Sequence, residues 1–202
     1  MPPLLSIVIP AYNRPEMLDQ CLRSVQTISP EIDYEVVVVD DASPVSLEPV
    51  LEEHTRQNPR LRWLRNPTSL GIPRNFNRCL AEAQGDYVCM MGDDDLFLPG
   101  NFEKKLALLR ARPGLAFVFS RWYMLNEPGA ELVNRAWPGH ASTAYVGGRD
   151  DFRDLFIMTN YINLISAVFP RALYQELGGF DERIRTLCDW DMFLRFCRGR
   201  PT

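Results

Sequence analysis

Short apolar runs alternate with amphipathic segments through the first 120 residues, the pattern of strands joined by crossover helices in a parallel sheet. Ser6 to Pro10 reads as the first strand. A helix is expected from Pro15 to Gln26, with proline tolerated in its first turn and Met17, Leu18, Cys21, Leu22 and Val25 on one face. Glu35 to Val39 is a second strand, and its unbroken valine run suits a strand covered on both faces near the sheet centre. A helix over Leu47 to Gln57, a strand over Leu61 to Leu64 and a helix over Pro73 to Ala83, closed by Gly85, follow. Tyr87 to Met91 is the next strand, Pro99 to Arg112 the next helix and Ala116 to Ser120 a further strand.

Beyond Trp122 the alternation stops. Pro128, Gly129, Pro138, Gly139, Gly147 and Gly148 divide Trp122 to Gly148 into loops or short strands suited to shaping a substrate. A helix is expected over Phe152 to Met158 and a strand over Leu164 to Phe169, and Trp190, Phe193, Leu194 and Cys197 recur at helical spacing. No internal repeat or linker interrupts the chain, so 202 residues with 46% hydrophobic content are expected to form one α/β domain. The last residues, Arg198 to Thr202, follow that final helical pattern with no returning strand, and the expectation is of a domain cut short.

A formal net charge of −4 lacks the basic footprint needed to neutralise phosphates, which argues against polymeric nucleic acid as a partner. Cys21, Cys79, Cys89, Cys188 and Cys197 are scattered without zinc spacing and read as reduced core thiols of a cytoplasmic protein. The first positive side chain is Arg14, so no secretory leader is expected. No apolar run approaches the roughly 20 residues of a membrane span, so any membrane contact is expected to be peripheral, at the inner membrane face, or to lie outside this chain.

The sharpest chemical signal is Asp93-Asp94-Asp95, directly after the Tyr87 to Met91 strand. Adjacent carboxylates repel and call for a cation, and hard oxygen ligands suit Mg²⁺ or Mn²⁺ shared with a diphosphate. The plain alternative is a solvated acidic loop, though a helix beginning near Pro99 starts too late for these residues to cap it. Asp40-Asp41 ends the second strand before the turn-forming Ala42-Ser43-Pro44; one carboxylate there either accepts from a base or ribose or simply opens the turn. Tyr12-Asn13-Arg14 ends the first strand with an aromatic face and donors for a nucleotide. Asp189 and Asp191 flank Trp190 where favourable helix N-terminal charge competes with a general-base role. No GxxxxGK[ST] loop and no GxGxxG after a strand is present, and His54 and His140 neighbour no plausible nucleophile.

Together these segments resemble family 2 glycosyltransferases, inverting enzymes with the GT-A fold, over nearly the whole chain. The resemblance is carried by Ser-Ile-Val-Ile-Pro-Ala-Tyr-Asn-Arg at 6 to 14, Val-Val-Asp-Asp-Ala-Ser at 38 to 43 and Leu-Gly-Ile-Pro-Arg-Asn at 70 to 75. Gly-Asp-Tyr-Val at 85 to 88, the Asp93 cluster with Pro99, Gly-Gly-Phe-Asp-Glu at 178 to 182 and Cys-Asp-Trp-Asp at 188 to 191 complete it. It implies a nucleotide-sugar-binding half over 1–120 and an acceptor-side half carrying the base over 121–202. It further implies a donor site of Pro10, Tyr12, Asn13, Asp41, Arg74 and Asp93, with Tyr12 on the nucleobase, Asp41 at its polar edge and Arg74 near base or phosphate. Asp94, with Asp93 and Asp95 beside it, looks like the holder of Mn²⁺ or Mg²⁺, and Asp189 occupies the position of the catalytic base.

Two departures stand out. Many members read Asp-x-Asp-Asp where this chain has Gly92-Asp93-Asp94-Asp95, and a Glu-Asp pair where it has Cys188-Asp189. The implied reaction is metal-assisted transfer from a nucleotide-diphosphate sugar, expected to be a UDP-sugar, to a hydroxyl of a saccharide, lipid-linked or protein acceptor. The rivals are a nucleotide-sugar-binding domain without catalysis and a sugar-1-phosphate nucleotidyltransferase. The latter needs a Gly-rich basic loop that residues 10 to 16 lack.

Overall fold

The protein is described by a computed structural model covering residues 3–125, 132–134 and 162–199. Four parallel strands, β1 (Leu5–Ala11), β2 (Tyr34–Asp40), β3 (Leu61–Arg65) and β4 (Tyr87–Met90), alternate with helices α1 (Pro15–Val25), α2 (Glu48–Gln57) and α3 (Ile72–Glu82). After α4 (Glu103–Ala111) come β5 (Val118–Phe119) and a hairpin of β6 (Tyr123–Leu125) with β7 (Leu132–Asn134). A 3₁₀ turn over Leu164–Ser166 leads into β8 (Ala167–Pro170), α5 (Arg171–Glu176) and α6 (Cys188–Gly199). The main sheet runs β3-β2-β1-β4-β8-β5, with β8 antiparallel to both its neighbours.

The period-2 alternation of a strand sends successive side chains to opposite faces, and here both faces are covered. Ile7, Ile9, Val36, Val38 and Cys89 pack with Leu18, Cys21, Leu22 and Val25 of α1, Leu51 of α2 and Leu106 and Leu109 of α4. On the other face Val8, Val37, Val39, Val88 and Met90 pack with Cys79 and Leu80 of α3, Leu173 of α5 and Met192, Phe193 and Phe196 of α6. Each fully buried aliphatic side chain contributes about 1.5–3 kcal/mol, so the valine run of β2 is a main tie between the two layers. β2 lies one strand in from the sheet edge, with β1 and β4 more central.

Several elements differ from expectation for local reasons. α4 begins at Glu103 because Gly100 turns the chain at φ +76° and Phe97 stacks edge-on with Phe102, ring centres 4.9 Å apart, ahead of the helix. Gly85 does not cap α3, which ends at Glu82 with Ala83 extended. A Cβ at Gly85 would lie 2.7 Å from the Ser6 backbone nitrogen, so glycine lets the chain cross β1 closely. The expected Ala116 to Ser120 strand narrows to β5, and the expected Leu164 to Phe169 strand becomes the 3₁₀ turn followed by β8. The expected Phe152 to Met158 helix lies outside the described residues. All five cysteines are buried free thiols.

Candidate functional site

The chain builds β1, moves outward on one side to β2 and β3, then returns to place β4 on the other side of β1. That reversal opens a crevice beyond the carboxyl ends of β1 and β4, where open α/β sheets take ligands. Tyr12-Asn13-Arg14, Asp40-Asp41 and Asp93-Asp94-Asp95 leave the sheet at this edge. Pro10 lies within β1 opposite Val39 and delivers the chain to Tyr12.

The β1 and β4 ends are tied together. The Tyr12 backbone N–H donates to Asp93 Oδ2 at 2.9 Å, while Tyr12 as a whole stays 47% exposed. Asn13 takes a left-handed backbone, φ +60°, held by its N–H to Ser43 Oγ (2.8 Å) and by its Oδ1 accepting from the Val45 N–H (3.2 Å). Ala42, at φ +58°, is a second non-glycine residue in this region, so backbone strain concentrates at the crevice.

Asp93 is fully buried, and burial raises its pKa against the opposing pull of the Tyr12 N–H and Arg14. Arg14 forks across the cluster: one guanidinium nitrogen meets Asp93 Oδ1 at 2.5 Å and the other Asp94 Oδ2 at 2.5 Å. Asp95 turns away, its Oδ2 accepting from the Gly92 N–H at 3.3 Å. Burial, and next the charge of Asp94, push its carboxyl up to about 6. A Cβ at Gly92 would lie 2.7 Å from Asp94 Oδ1 and 3.1 Å from Asp95 Oδ2, so a larger residue there would shift the Asp94 carboxylate.

Asp40 and Asp41 divide their labour. Asp40 is the turn-former: its Oδ1 accepts from the Ser43 N–H (2.9 Å) and Oγ (2.5 Å), and its Oδ2 pairs with Arg65 at 2.5 Å. Asp41 reaches into the loop between β3 and α3. Its Oδ1 accepts from the Leu70 N–H and Asn66 Nδ2, both at 2.8 Å, and its Oδ2 from Ser69 Oγ (2.8 Å) and the Gly71 N–H (3.0 Å). Burial pushes the Asp41 pKa up, but the four hydrogen bonds outweigh it and the net shift is downward.

Arg74, in the first turn of α3, pairs with Glu182 at 3.0 Å. Beside it Asn77 gathers the Gly-Gly-Phe-Asp-Glu segment. Its Oδ1 accepts from the Phe180 N–H (2.8 Å) and the Tyr174 hydroxyl (3.1 Å), and its Nδ2 donates to the Phe180 carbonyl (3.0 Å) and Glu182 (3.3 Å). Gly179, at φ +79°, is required there, because a Cβ would sit 2.7 Å from both Asn77 Oδ1 and the Tyr174 hydroxyl. Asp189 stands partly exposed in the first turn of α6, Asp191 is committed to Arg195 at 2.8 Å, and Cys188 is buried on the core side.

Metal chemistry can be tested on this geometry. Among the described residues no three His, Cys, Asp or Glu side chains form a cation cage. Asp93 and Asp94 nevertheless converge on one cation, the Arg14 guanidinium, so the pair is placed to share a positive charge. Two carboxylate oxygens completed by diphosphate oxygens and water form a donor set suited to Mg²⁺ or Mn²⁺. The Arg14 fork and the donors to Asp41 join segments 25 to 80 residues apart, so the sequence marks Arg14 and the 70–75 segment but not these pairings.

The family profile described as glycosyl transferase family 2 matches residues 6–168. The chain belongs to this family. It is 27% identical over 195 residues to an uncharacterized glycosyltransferase of Haemophilus influenzae, spanning 95% of this chain and 61% of that protein. It is 28% identical over 202 residues to an Escherichia coli chondroitin synthase, spanning 98% of this chain and 27% of the synthase. The chain thus covers about three fifths or less of the length of these relatives. S. aureus TarS 1–349 superposes with a TM-score of 0.78 at 19% identity, over 98% of this chain and 56% of that one, and has also been solved with UDP. The mannosyltransferase PcManGT of Pyrobaculum calidifontis, in complex with GDP-Man and Mn²⁺, superposes with a TM-score of 0.64 at 20% identity, over 90% of this chain and 48% of that one. The family 2 transferase domain described here has the GT-A fold of these neighbours.

Proposed function

We propose that this domain moves a glycosyl group from a nucleotide-diphosphate sugar to an acceptor hydroxyl, with inversion and with Asp189 as general base. The observation that carries the reading is the convergence of Asp93 and Asp94 on a single cation at the β1/β4 crevice, beside the exposed Tyr12. Tyr12 offers a face for the nucleobase. Asp41 fixes the 66–71 loop along the crevice, and a base N–H reaching its carboxylate takes the place of the Ser69 hydroxyl, the one side-chain donor there free to rotate. Pro10 and Asn13 hold the Tyr12 backbone, and Arg74 at the start of α3 supplies a cation to the donor once it leaves Glu182.

Asp93 and Asp94 would hold a divalent metal, and when bound this ion neutralises charge on the departing diphosphate. Asp189 takes the acceptor hydroxyl's proton as that oxygen attacks the anomeric carbon opposite the nucleotide; such a step is worth about 10²- to 10⁴-fold. UDP is taken as the nucleotide, as in the TarS complex, while the PcManGT complex holds GDP-Man; Mn²⁺, as in PcManGT, or Mg²⁺ suits the hard oxygen ligands. The acceptor is a saccharide, lipid-linked or protein hydroxyl. No helix among the described residues is long and apolar enough to cross a membrane. The buried free thiols support a reducing, cytoplasmic setting, and peripheral contact at the inner membrane face belongs to the same proposal.

Incubation of the folded chain with Mn²⁺ and a panel of nucleotide sugars tests this reading. Slow donor hydrolysis or transfer of at least one sugar is expected, and no binding or turnover of any donor would overturn it. A second reading, donor binding without catalysis, draws on Cys188, buried where an acidic partner of the base commonly stands. Donor binding without hydrolysis or transfer in the same panel would select it.

A further inference from the structure

We infer that Arg14 is a displaceable counter-cation: it neutralises Asp93 and Asp94 while the site is empty of donor, yields those oxygens to the divalent ion, and turns to the diphosphate. The inference rests on the reading of the crevice as a metal–diphosphate site, and it adds Arg14 as the residue that the metal displaces.

The two ends of Arg14 are held very differently. Its backbone is fixed, since its carbonyl accepts from the Leu18 N–H at 2.9 Å in the first turn of α1 and the preceding Asn13 is clamped by Ser43 and Val45. Its side chain is 44% exposed, and the two carboxylates are its hydrogen-bond partners. The guanidinium can therefore swing on its stem without disturbing the strand end.

The acids are equally unlike each other. Asp94 is 46% exposed, and exposed ion pairs are weak and exchangeable. Asp93 is fully buried and fixed by the Tyr12 N–H, and a buried carboxylate left without a partner is costly. The cluster thus tolerates exchange of one cation for another and resists simple loss.

Two consequences follow from competition for the same oxygens. A divalent ion arriving alone must evict Arg14 into solvent, which weakens its binding. An ion arriving with a diphosphate gives the evicted guanidinium two or more anionic oxygens to fork onto, a geometry arginine favours. Metal and nucleotide then bind with positive coupling, and by linkage each tightens the other by the same factor.

The test measures free Mn²⁺ by electron paramagnetic resonance during titration of the metal-free chain, with and without UDP. Wild type, Arg14→Gln and Arg14→Lys are compared. The expected result is a coupling of at least about tenfold between UDP and Mn²⁺ in the wild type. Arg14→Gln binds Mn²⁺ alone about tenfold more tightly than wild type, with coupling reduced several-fold. Arg14→Lys keeps the charge but cannot fork, so it too binds Mn²⁺ alone more tightly than wild type, which separates competition for the oxygens from a general field effect. Mn²⁺ affinity without UDP unchanged in both variants, or coupling undiminished, overturns the role of Arg14 while leaving the metal site standing. Absence of Mn²⁺ binding in all three folded proteins, with and without UDP, overturns the metal reading and this inference together.

Discussion

Replacing Asp41 by asparagine keeps the shape of the side chain and removes one acceptor, and the structure makes the consequence calculable. Asp41 Oδ1 faces two donors, the Leu70 N–H and Asn66 Nδ2, and Oδ2 faces two more, Ser69 Oγ and the Gly71 N–H. An amide placed at the second position sets its NH₂ against the Gly71 N–H; placed at the first, it opposes the Leu70 N–H. Neither backbone group can turn round to accept. Asn66 cannot flip freely either, because the same Nδ2 donates to Asn75 Oδ1 at 2.9 Å. At least one charge-assisted bond is lost and a donor is left facing a donor, which costs about 2–4 kcal/mol. For a chain of this size that is a fall of roughly 5–15 °C in Tm. Acid titration adds an independent handle. The Asp41 pKa is depressed by its hydrogen bonds, so its contribution is present above the unfolded carboxylate value and is lost as pH falls through the folded one. Thermal melts from pH 7 to pH 3 should therefore show the gap between wild type and Asp41→Asn narrowing once the pH falls below the unfolded carboxylate value. Equal Tm values at pH 7, or a constant gap across the range, would refute the four-donor account.

Three further outcomes test other parts of the molecule. Asp189→Asn should lower kcat by about 10²- to 10⁴-fold with donor affinity unchanged, read by steady-state kinetics and calorimetric titration; equal rates would remove Asp189 from the role of base. Gly179→Ala combines left-handed strain with a Cβ 2.7 Å from Asn77 Oδ1, and should cost about 2–4 kcal/mol in urea unfolding. Lys105 is buried with Asn101 as its hydrogen-bond partner, and burial pulls its pKa down from 10.5 to about 8. A base with a depressed folded pKa costs stability where it is charged, below about pH 8, and the cost fades as pH rises toward 10.5. Lys105→Met should then raise Tm at pH 7 by about 2–6 °C and gain little at pH 10.

The parallel half of the fold was legible because β1, β2 and β4 carry short apolar runs, β3 carries Leu61, Trp63 and Leu64 between arginines, and the helices between them present apolar stripes. The four strands β1 to β4 and the helices between them appear within a few residues of where those patterns put them. Residues 116–177 were harder to read. The Ala167–Pro170 run looks the same whichever way it points, so its antiparallel place between β4 and β5 comes from long-range packing. The six-residue α5 is too short to show a helical period. In the site, Asp93 was readable from its place at a strand end. Its partner Arg14 lies 79 residues away, and the donors to Asp41 lie 25 to 30 residues away, so neither pairing leaves a local signal. Between Asp40 and Asp41, composition favoured neither as the turn-former; the register of β2 with β3, which sets Asp40 against Arg65, decides it.

The proposed chemistry requires Asp93 and Asp94 to place a cation for a nucleotide diphosphate. Calorimetric titration of UDP into the metal-free chain, with and without Mn²⁺, for wild type and Asp94→Asn, measures this directly. UDP binding is expected to strengthen with Mn²⁺ in the wild type and to lose most of that gain in Asp94→Asn. UDP affinity indifferent to Mn²⁺, or an Asp94→Asn protein that keeps the full gain, would contradict it.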